Sequence, residues 1–168
     1  KAESKMQEIA LDTAREKTNL KNSDIDILFA GDLLNQCIGS SFSLRGTDIP
    51  FLGLYGACST MGEAISLGAM TVSAGYADTV LSLASSHFAS AEKTFRFPLD
   101  YGSQLKSCAT RTVTGCGAVI IGKDSGIAKI TGVTPGRIVD YGCKEKDNMG
   151  ACMAPAAADT IYHNLSAA

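Results

Sequence analysis

At 168 residues, the chain is long enough to form one ordinary domain with a hydrophobic core. With 45% hydrophobic and 19% charged residues, it is too apolar for an intrinsically disordered protein. The net charge of -2 comes without a basic stripe, which argues against a nucleic-acid partner, and no apolar run is long enough to span a bilayer. We therefore expect a compact domain that meets a membrane, if at all, peripherally.

The chain begins with the pattern of a helix. Residues 1–20 predict an amphipathic helix whose apolar face carries Met6, Ile9, Ala10 and Ala14. Because this helix has no cap and no preceding strand, we expect a first strand to precede it in the whole protein. A nearly continuous apolar run at residues 25–30 then predicts a strand that is covered on both faces.

Polar residues follow this strand directly. Ligands gather outside the carboxyl ends of strands in open α/β sheets, so Asp32 and Asn35 are candidate site residues. The alternative is that both are turn and cap residues, which we favour for Asp32 and leave open for Asn35. A short helix over residues 36–44 leads to the next strand.

The next stretch has the pattern of a strand, a tight turn and a helix, and the rest of the chain is organised around it. An apolar run at residues 51–55 predicts a buried strand, and residues 56–57 supply the turn. Ser59 or Thr60 caps the helix that follows. Thr60 and Glu63 have the spacing of a capping box.

Cys58 lies in that turn, beside the unpaired N–H groups at the positive end of the helix dipole. Such surroundings favour a reactive thiolate, and they also favour a bound carboxylate or a developing oxyanion. Cys58 is therefore the candidate centre of function, either as a nucleophile or as the floor of an anion pocket. The adjacent Ser59 is a candidate ligand-binding residue.

The helix after Cys58 runs to about Gly75 and is rich in small residues, so that neighbouring elements can approach it closely. Residues 79–84 predict the next strand, which ends in Ser85, Ser86 and His87. A lone histidine is more often structural than catalytic. His87 nevertheless follows the carboxyl end of a strand, and we leave both interpretations open.

Residues 88–115 show little regular pattern beyond a short helix near residues 89–95. Loops this long in compact domains are usually lids, binding loops or interface arms. Arg96 lies between two phenylalanines, which makes it the basic residue of this stretch that we expect to be ordered and to offer charge to an anionic ligand. Lys93 and Lys106 are expected to be solvated surface charges.

The last third of the chain predicts two strands and a helix. Residues 115–122 and 127–133 are joined by so short a link that we expect an antiparallel hairpin. A closing helix is predicted to start at residues 154–156, with Pro155 in its first turn. We expect residues 1–150 to form one domain and 151–168 to begin a second half.

The six cysteines are scattered without a C-x-x-C pair, and the chain has only two histidines, so no metal site is predicted. Apart from Cys58, we expect the cysteines to be small buried hydrophobes in a reducing compartment. These five are Cys37, Cys108, Cys116, Cys143 and Cys152.

Three segments resemble the stage V sporulation protein AD family of spore-forming bacteria. They are residues 24–36 (DIDILFAGDLLNQ), 85–98 (SSHFASAEKTFRFP) and 153–161 (MAPAAADTI). More broadly, the order of a strand, Gly-Ala-Cys-Ser-Thr, a small-residue helix and another strand is similar to the N-terminal half of thiolase-like proteins.

The resemblance implies an α/β fold, a thiolase-like layered half with a mixed, mostly parallel sheet and helices on both faces. It places Cys58 at the thiolase nucleophile position, and His87 and Arg96 in a segment that matches the sporulation proteins. Thiolase-fold enzymes complete their site with histidine, or histidine and asparagine, from a second half that we expect to lie beyond this chain. His163 is not assigned that role.

The function that the resemblance implies is binding of dipicolinic acid, with calcium, for its uptake into the forespore. The expected setting is peripheral, at the forespore inner membrane beside integral-membrane proteins of the same operon, with the protein a homodimer. No cofactor is expected other than calcium bound together with dipicolinic acid. Asp32, Asp100 and Asp140 could coordinate that calcium, judged by residue type alone. Two alternatives are an acyl transferase with Cys58 as nucleophile and a structural pseudo-enzyme that docks membrane subunits.

Overall fold

The computed structural model describes residues 2–95, 111–124, 126–144 and 148–167. The helices are α1 (Ala2–Thr18), α2 (Ile38–Ser43), α3 (Thr60–Ser73), α4 (Phe88–Phe95) and α5 (Met149–Ala167). The strands are β1 (Ile27–Gly31), β2 (Phe51–Leu54), β3 (Thr79–Ser86) and β4 (Gly115–Gly122). Short 3-10 helices cover Asn22–Asp24, Asn35–Cys37 and Ala57–Ser59.

The four strands form one mixed sheet in the order β2-β1-β3-β4. β1 pairs in parallel with β2 and with β3, and β4 pairs antiparallel to β3. In this register Gly31 lies opposite Leu54 on one side and Ala84 on the other. The prediction of a mixed, mostly parallel sheet is confirmed.

Helices cover both faces of this sheet, each over its own hydrophobic layer. On one face Leu28 and Leu81 pack with Leu11 of α1. On the other face Phe29 and Val80 join residues of α3, Ala64 and Val72. Because neighbouring residues of a strand point to opposite faces, β1 supplies both layers, which explains its nearly continuous apolar run.

The small side chains of α3 allow the close approach that the sequence predicts. A Cβ atom added at Gly68 would lie 2.9 Å from Ile121 Cδ1 and 3.1 Å from Val80 Cγ1. Alanine at this position would therefore require the side chains of the sheet beneath it to shift.

The buried face of α1 differs from the predicted one. Its fully buried residues are Glu3, Gln7 and Leu11, whereas Ile9 is 55% exposed. Ala10 and Ala14 are half-buried against the core, so the predicted face is only partly confirmed. The polar residues are inside because hydrogen-bond partners from β1, α2 and β3 meet them there.

Two expectations for the last third of the chain are wrong. Residues 127–133 form no strand, because Ile127 is fully exposed, Ile130 is 43% exposed, and no buried face favours pairing. α5 begins at Met149 rather than near residue 154, since Asn148 Oδ1 accepts a hydrogen bond from the Ala151 N–H and caps the helix. Pro155 therefore lies inside the helix.

Candidate functional site

Three neighbouring strands end at the same edge of the sheet, and the candidate site residues follow them. Asn35 comes after β1, Cys58 after β2 and His87 after β3. β1 lies between the other two strands, so Asn35 follows the middle strand of the three.

Cys58 is held in a tight turn. It lies in the 3-10 helix Ala57–Ser59, and its side chain is exposed. Ala57 has a φ of 49°, a left-handed conformation that alanine rarely adopts. The Ser59 hydroxyl donates to the Gly56 carbonyl oxygen at 2.7 Å, and the Thr60 hydroxyl donates to the Ala57 carbonyl oxygen at 2.9 Å. The turn is therefore fixed by its own side chains.

The predicted capping box at the start of α3 is wrong. Ser59 is the N-cap residue, but its side chain makes no capping hydrogen bond. Thr60 already lies inside the helix, with its hydroxyl bound to the preceding turn. Ser59 remains exposed beside Cys58, so both side chains are accessible at the amino-terminal end of a 14-residue helix.

The turn after β1 is pinned to the end of β2. Gln36 and Cys37 both have positive φ angles, 60° and 51°, and the buried Cys37 thiol donates to the Leu54 carbonyl oxygen at 3.1 Å. At Gly31 a Cβ atom would clash with the same carbonyl oxygen and with Thr60 Cγ2. Asn35, two residues before Cys37, is exposed.

His87 is half-buried between β3 and α4. Its carbonyl oxygen accepts the Ala91 N–H at 2.9 Å, which starts the helix. The flanking residues are tied to the segment before β4, because the Phe88 N–H donates to Thr114 Oγ1 at 2.9 Å. His87 thus has a fixed backbone at the strand end where the sequence predicts it.

A buried polar network, which sequence reasoning missed, lies beneath this edge. Gln7 is fully buried, and its Nε2 donates to Ser85 Oγ at 2.7 Å and to Ser40 Oγ at 3.0 Å. Ser85 in turn donates to Glu3 Oε1 at 3.0 Å, and Ser40 donates to Asp32 Oδ2 at 2.6 Å. The sequence does carry a signal for this arrangement. Glu3, Gln7 and Leu11 are spaced four residues apart, which places all three on one face of the helix.

The two carboxyl groups of this network have different surroundings. Asp32 Oδ1 accepts the Leu34 N–H at 2.9 Å and Oδ2 accepts the Ser40 N–H at 2.7 Å, so it acts as the turn and cap residue that we favoured. Burial raises the pKa of the Glu3 carboxyl, and the Ser85 hydrogen bond and nearby His87 oppose that rise. The Glu3 carboxyl therefore binds a proton more readily than an ordinary glutamate, and it lies close enough to His87 to interact with it electrostatically.

The remaining thiols of the described core are poor nucleophiles. Burial raises the pKa of Cys37, and it raises the pKa of Cys116 to about 12. The expectation of burial is confirmed for Cys37, and Cys116 is half-buried. It is wrong for Cys143 and Cys152, which are exposed, and Cys108 lies outside the described residues.

Some of the predicted site residues are not brought into contact. Among the described residues, none of the hydrogen bonds joins the side chains of Asn35, Cys58 and His87 to one another. Arg96 lies outside the described residues. Within the same described part, no group of three or more histidine, cysteine or acidic side chains could hold a metal ion. Asp140 binds the Gly142 N–H, and Asp100 is not among the described residues.

The edge can therefore offer backbone N–H groups, an exposed thiol and hydroxyl, and a histidine beside a protonatable carboxyl group. The N–H groups suit a carboxylate or an oxyanion.

Two cavities of the described part lie elsewhere, one of about 150 Å³ beside α5 and one of about 410 Å³ between α1 and β4.

The model of one protein family, described as stage V sporulation protein AD, matches residues 1–168. The stage V sporulation protein AD of Bacillus subtilis (strain 168) is 46% identical over 164 residues, which cover 98% of this chain and 48% of that protein. The chain thus spans about half the length of the curated relative that it matches.

Solved structures with the same fold include a 3-oxoacyl-[acyl-carrier-protein] synthase and a polyketide ketosynthase. The 3-oxoacyl-[acyl-carrier-protein] synthase III of Aquifex aeolicus VF5 is 17% identical, with a TM-score of 0.58 over 73% of this chain and 39% of that one. The priming β-ketosynthase of the R1128 polyketide pathway is 20% identical, with a TM-score of 0.53 over 71% of this chain and 35% of that one. At these identities the likeness shows a thiolase-like fold alone.

Proposed function

The chain belongs to the stage V sporulation protein AD family, and from that premise we propose that it is part of a non-catalytic protein that binds dipicolinic acid, with calcium, for uptake into the forespore. The observation that carries the proposal is the exposed turn of Cys58 and Ser59 at the start of α3. It offers the positive end of a helix at the edge of the sheet where ligands gather.

Dipicolinate suits such an edge because it is planar and carries two negative charges. One carboxylate would accept hydrogen bonds from the backbone N–H groups of Ala57 and Cys58, because the N–H groups of Ser59 and Thr60 already bind carbonyl oxygens within the turn. The other would reach polar groups after the neighbouring strands, for which Asn35 and His87 are the candidates, with Arg96 as the cation that we expect from the sequence. No step of this binding requires the Cys58 thiol to react.

The strand order supports binding over turnover. Cys58 follows β2 and His87 follows β3, with β1 between them. Two strand spacings separate the ends of β2 and β3 by about 9.5 Å. A general base must come within about 3 Å of the thiol to take its proton. His87 would have to cross most of that gap, so we propose that it contacts ligand instead.

A second candidate is acyl transfer with Cys58 as the nucleophile. The left-handed Ala57 favours it, because a strained turn between a strand and a helix presents a reactive side chain to a substrate. The proton acceptor would then come from residues other than those described.

The setting of the protein is also a proposal. No helix in the described ranges is both long and apolar enough to cross a bilayer. We propose a peripheral protein at the forespore inner membrane that contacts integral-membrane proteins of its operon. β2 is an edge strand with Leu52 exposed by 52%, which suits a homodimer interface and equally the docking surface of a structural scaffold.

Calorimetric titration of dipicolinate into the full-length protein, with and without calcium, tests the proposal. Cys58→Ala should retain saturable binding, whereas His87→Ala should weaken it at least about tenfold, the loss of one charge-assisted contact. His163→Ala is the matched control for the second variant, because this other histidine binds Arg137 and Asp159 instead of lying at the edge. Cys143→Ala is the matched control for the exposed thiol.

Acetyl- and malonyl-CoA turnover is measured with the same preparations. Turnover that Cys58→Ala abolishes and Cys143→Ala retains, without dipicolinate binding, would replace the proposal with the acyl-transfer candidate. A folded protein that shows neither signal would leave the scaffold function.

A further inference from the structure

The segment at residues 126–144 runs antiparallel to α5 and contacts it near both of its ends. Asn164 Nδ2 donates to Thr134 Oγ1 at 2.6 Å near the end of the helix. At the adjacent helix residue, Arg137 Nη2 lies 2.9 Å from His163 Nε2, and the same guanidinium group binds Asp159 one turn earlier. At the start of the helix, Cys152 Sγ donates to Cys143 Sγ at 3.2 Å. The segment therefore forms a strap along α5 whose last contact is between two thiols.

Both thiols of that contact are exposed, and they are not joined by a disulfide bond. A disulfide bond has an S–S length of about 2.05 Å, so the two sulfur atoms need to approach by about 1.2 Å to form one. Cys143 lies in the strap, outside any helix or strand, which leaves its backbone able to make that adjustment. The other described cysteines lack a second thiol in hydrogen-bond contact.

We propose that Cys143 and Cys152 are a redox-active pair that hydrogen peroxide oxidises to a disulfide, which locks the strap onto the start of α5. One thiolate attacks the peroxide O–O bond, giving a sulfenic acid and hydroxide, which takes up a proton to become water. The second thiolate then attacks the sulfenic sulfur; the S–S bond forms, the S–O bond breaks, and the departing hydroxide takes up a proton to become a second water. Two thiols lose two electrons in all, and one peroxide becomes two waters.

Peptide mapping of the full-length protein tests this pair directly. The reduced protein is treated with dilute hydrogen peroxide, remaining thiols are alkylated in denaturant, and the chain is digested with trypsin without reduction. Trypsin cleaves after Arg137, Lys144 and Lys146, so the disulfide joins the peptide 138–144 to the peptide that begins at Asp147. We expect this cross-linked species to exceed any other cysteine pairing at least about tenfold and to disappear on reduction.

Three comparisons separate this proposal from ordinary surface oxidation. Cys143→Ser should abolish the cross-link, whereas Cys58→Ser, which removes another exposed thiol, should leave it unchanged. The cross-link should also form at least about tenfold faster in the folded protein than in urea, because the fold holds the two sulfur atoms together.

Equal rates in folded and unfolded protein would overturn the proposal, since the proximity would then come from sequence separation alone. It would also be overturned by separate oxidation of Cys143 and Cys152 to sulfinic acids, or by cross-links between two chains that increase with protein concentration.

Discussion

The buried amide of Gln7 makes the sharpest prediction about stability. Its Oε1 accepts the Ser43 hydroxyl at 2.6 Å, and its Nε2 donates to Ser85 and Ser40 at 2.7 and 3.0 Å. A weaker contact at 3.3 Å reaches the Gly31 carbonyl oxygen. One side chain thereby ties α1 to α2, to the end of β1 and to the end of β3.

The cost of removing this amide follows from its contacts. Each of the three short hydrogen bonds contributes about 1 kcal/mol net, so Gln7→Met, which keeps the volume, should cost about 3 kcal/mol. Gln7→Ala also removes the volume of Cγ and of the amide group, so it should cost at least about 4 kcal/mol. Both values are large fractions of the unfolding free energy of roughly 5–15 kcal/mol that is typical of a domain.

Urea unfolding of the purified protein, followed by circular dichroism, measures both variants. Glu16→Ala on the exposed side of the same helix is the control, and it should change the free energy of unfolding by less than about 0.5 kcal/mol. A cost below about 1 kcal/mol for Gln7→Met would refute the reasoning, because the hydrogen bonds would then contribute nothing beyond volume.

Three further predictions follow from contacts of the same domain. Gly31→Ala should lower the free energy of unfolding by at least about 3 kcal/mol, because the added Cβ would clash with the Leu54 carbonyl oxygen. Gly62→Ala is the control, since its Cβ would lie in open space, and it should stabilise α3 by up to about 1 kcal/mol. Equal unfolding free energies for the two variants would contradict this prediction. The pKa of buried Glu3 is raised above its ordinary value of 4.5, so the folded protein holds this proton at pH values where the unfolded chain has lost it. The stability that this proton contributes, measured relative to Glu3→Gln, is therefore present at low pH and is lost as pH rises through the folded pKa. Unfolding at a series of pH values measures that difference, and a flat profile would disprove it. Leu52→Lys on the edge strand should convert the proposed dimer to a monomer in light scattering, and an unchanged mass would rule out this edge as the interface of that dimer.

The layers of this fold are readable from the sequence because apolar patterns report burial directly. The runs predicted as strands at residues 25–30 and 79–84 form β1 and β3, and both faces of these strands are covered. The run at residues 51–55, predicted as a buried strand, instead forms the edge strand β2, in which Leu52 is exposed. The same logic failed at residues 127–133, where an apolar run remains exposed. Hydrophobic pattern shows what a segment could bury, but the available surface decides whether it does.

The site was predictable only as far as strand ends could be located. Asn35, Cys58 and His87 lie after the strands where the sequence places them. The polar network was not predictable, because Gln7 and its serine partners are 33 and 78 residues apart and their meeting depends on the completed sheet. Likewise, the hydroxyl of Thr60 can bond either forward or backward along the chain, and the geometry of the Ala57 turn decides between them.

Departures from the usual rules of folding converge on the same edge, which argues for its function independently of any relative. Of the non-glycine residues described with positive φ, Asn19 and Asp48 are of the residue types that adopt it most readily. The others, Gln36, Cys37 and Ala57, all lie in the turns after β1 and β2. Directly behind these turns lie the buried carboxyl group of Glu3, with its raised pKa, and the buried amide of Gln7. Apolar side chains could fill both positions at a lower desolvation cost. Strain and buried polarity persist where the surrounding structure holds them in place, and they are typical of sites that must present fixed polar groups to a ligand.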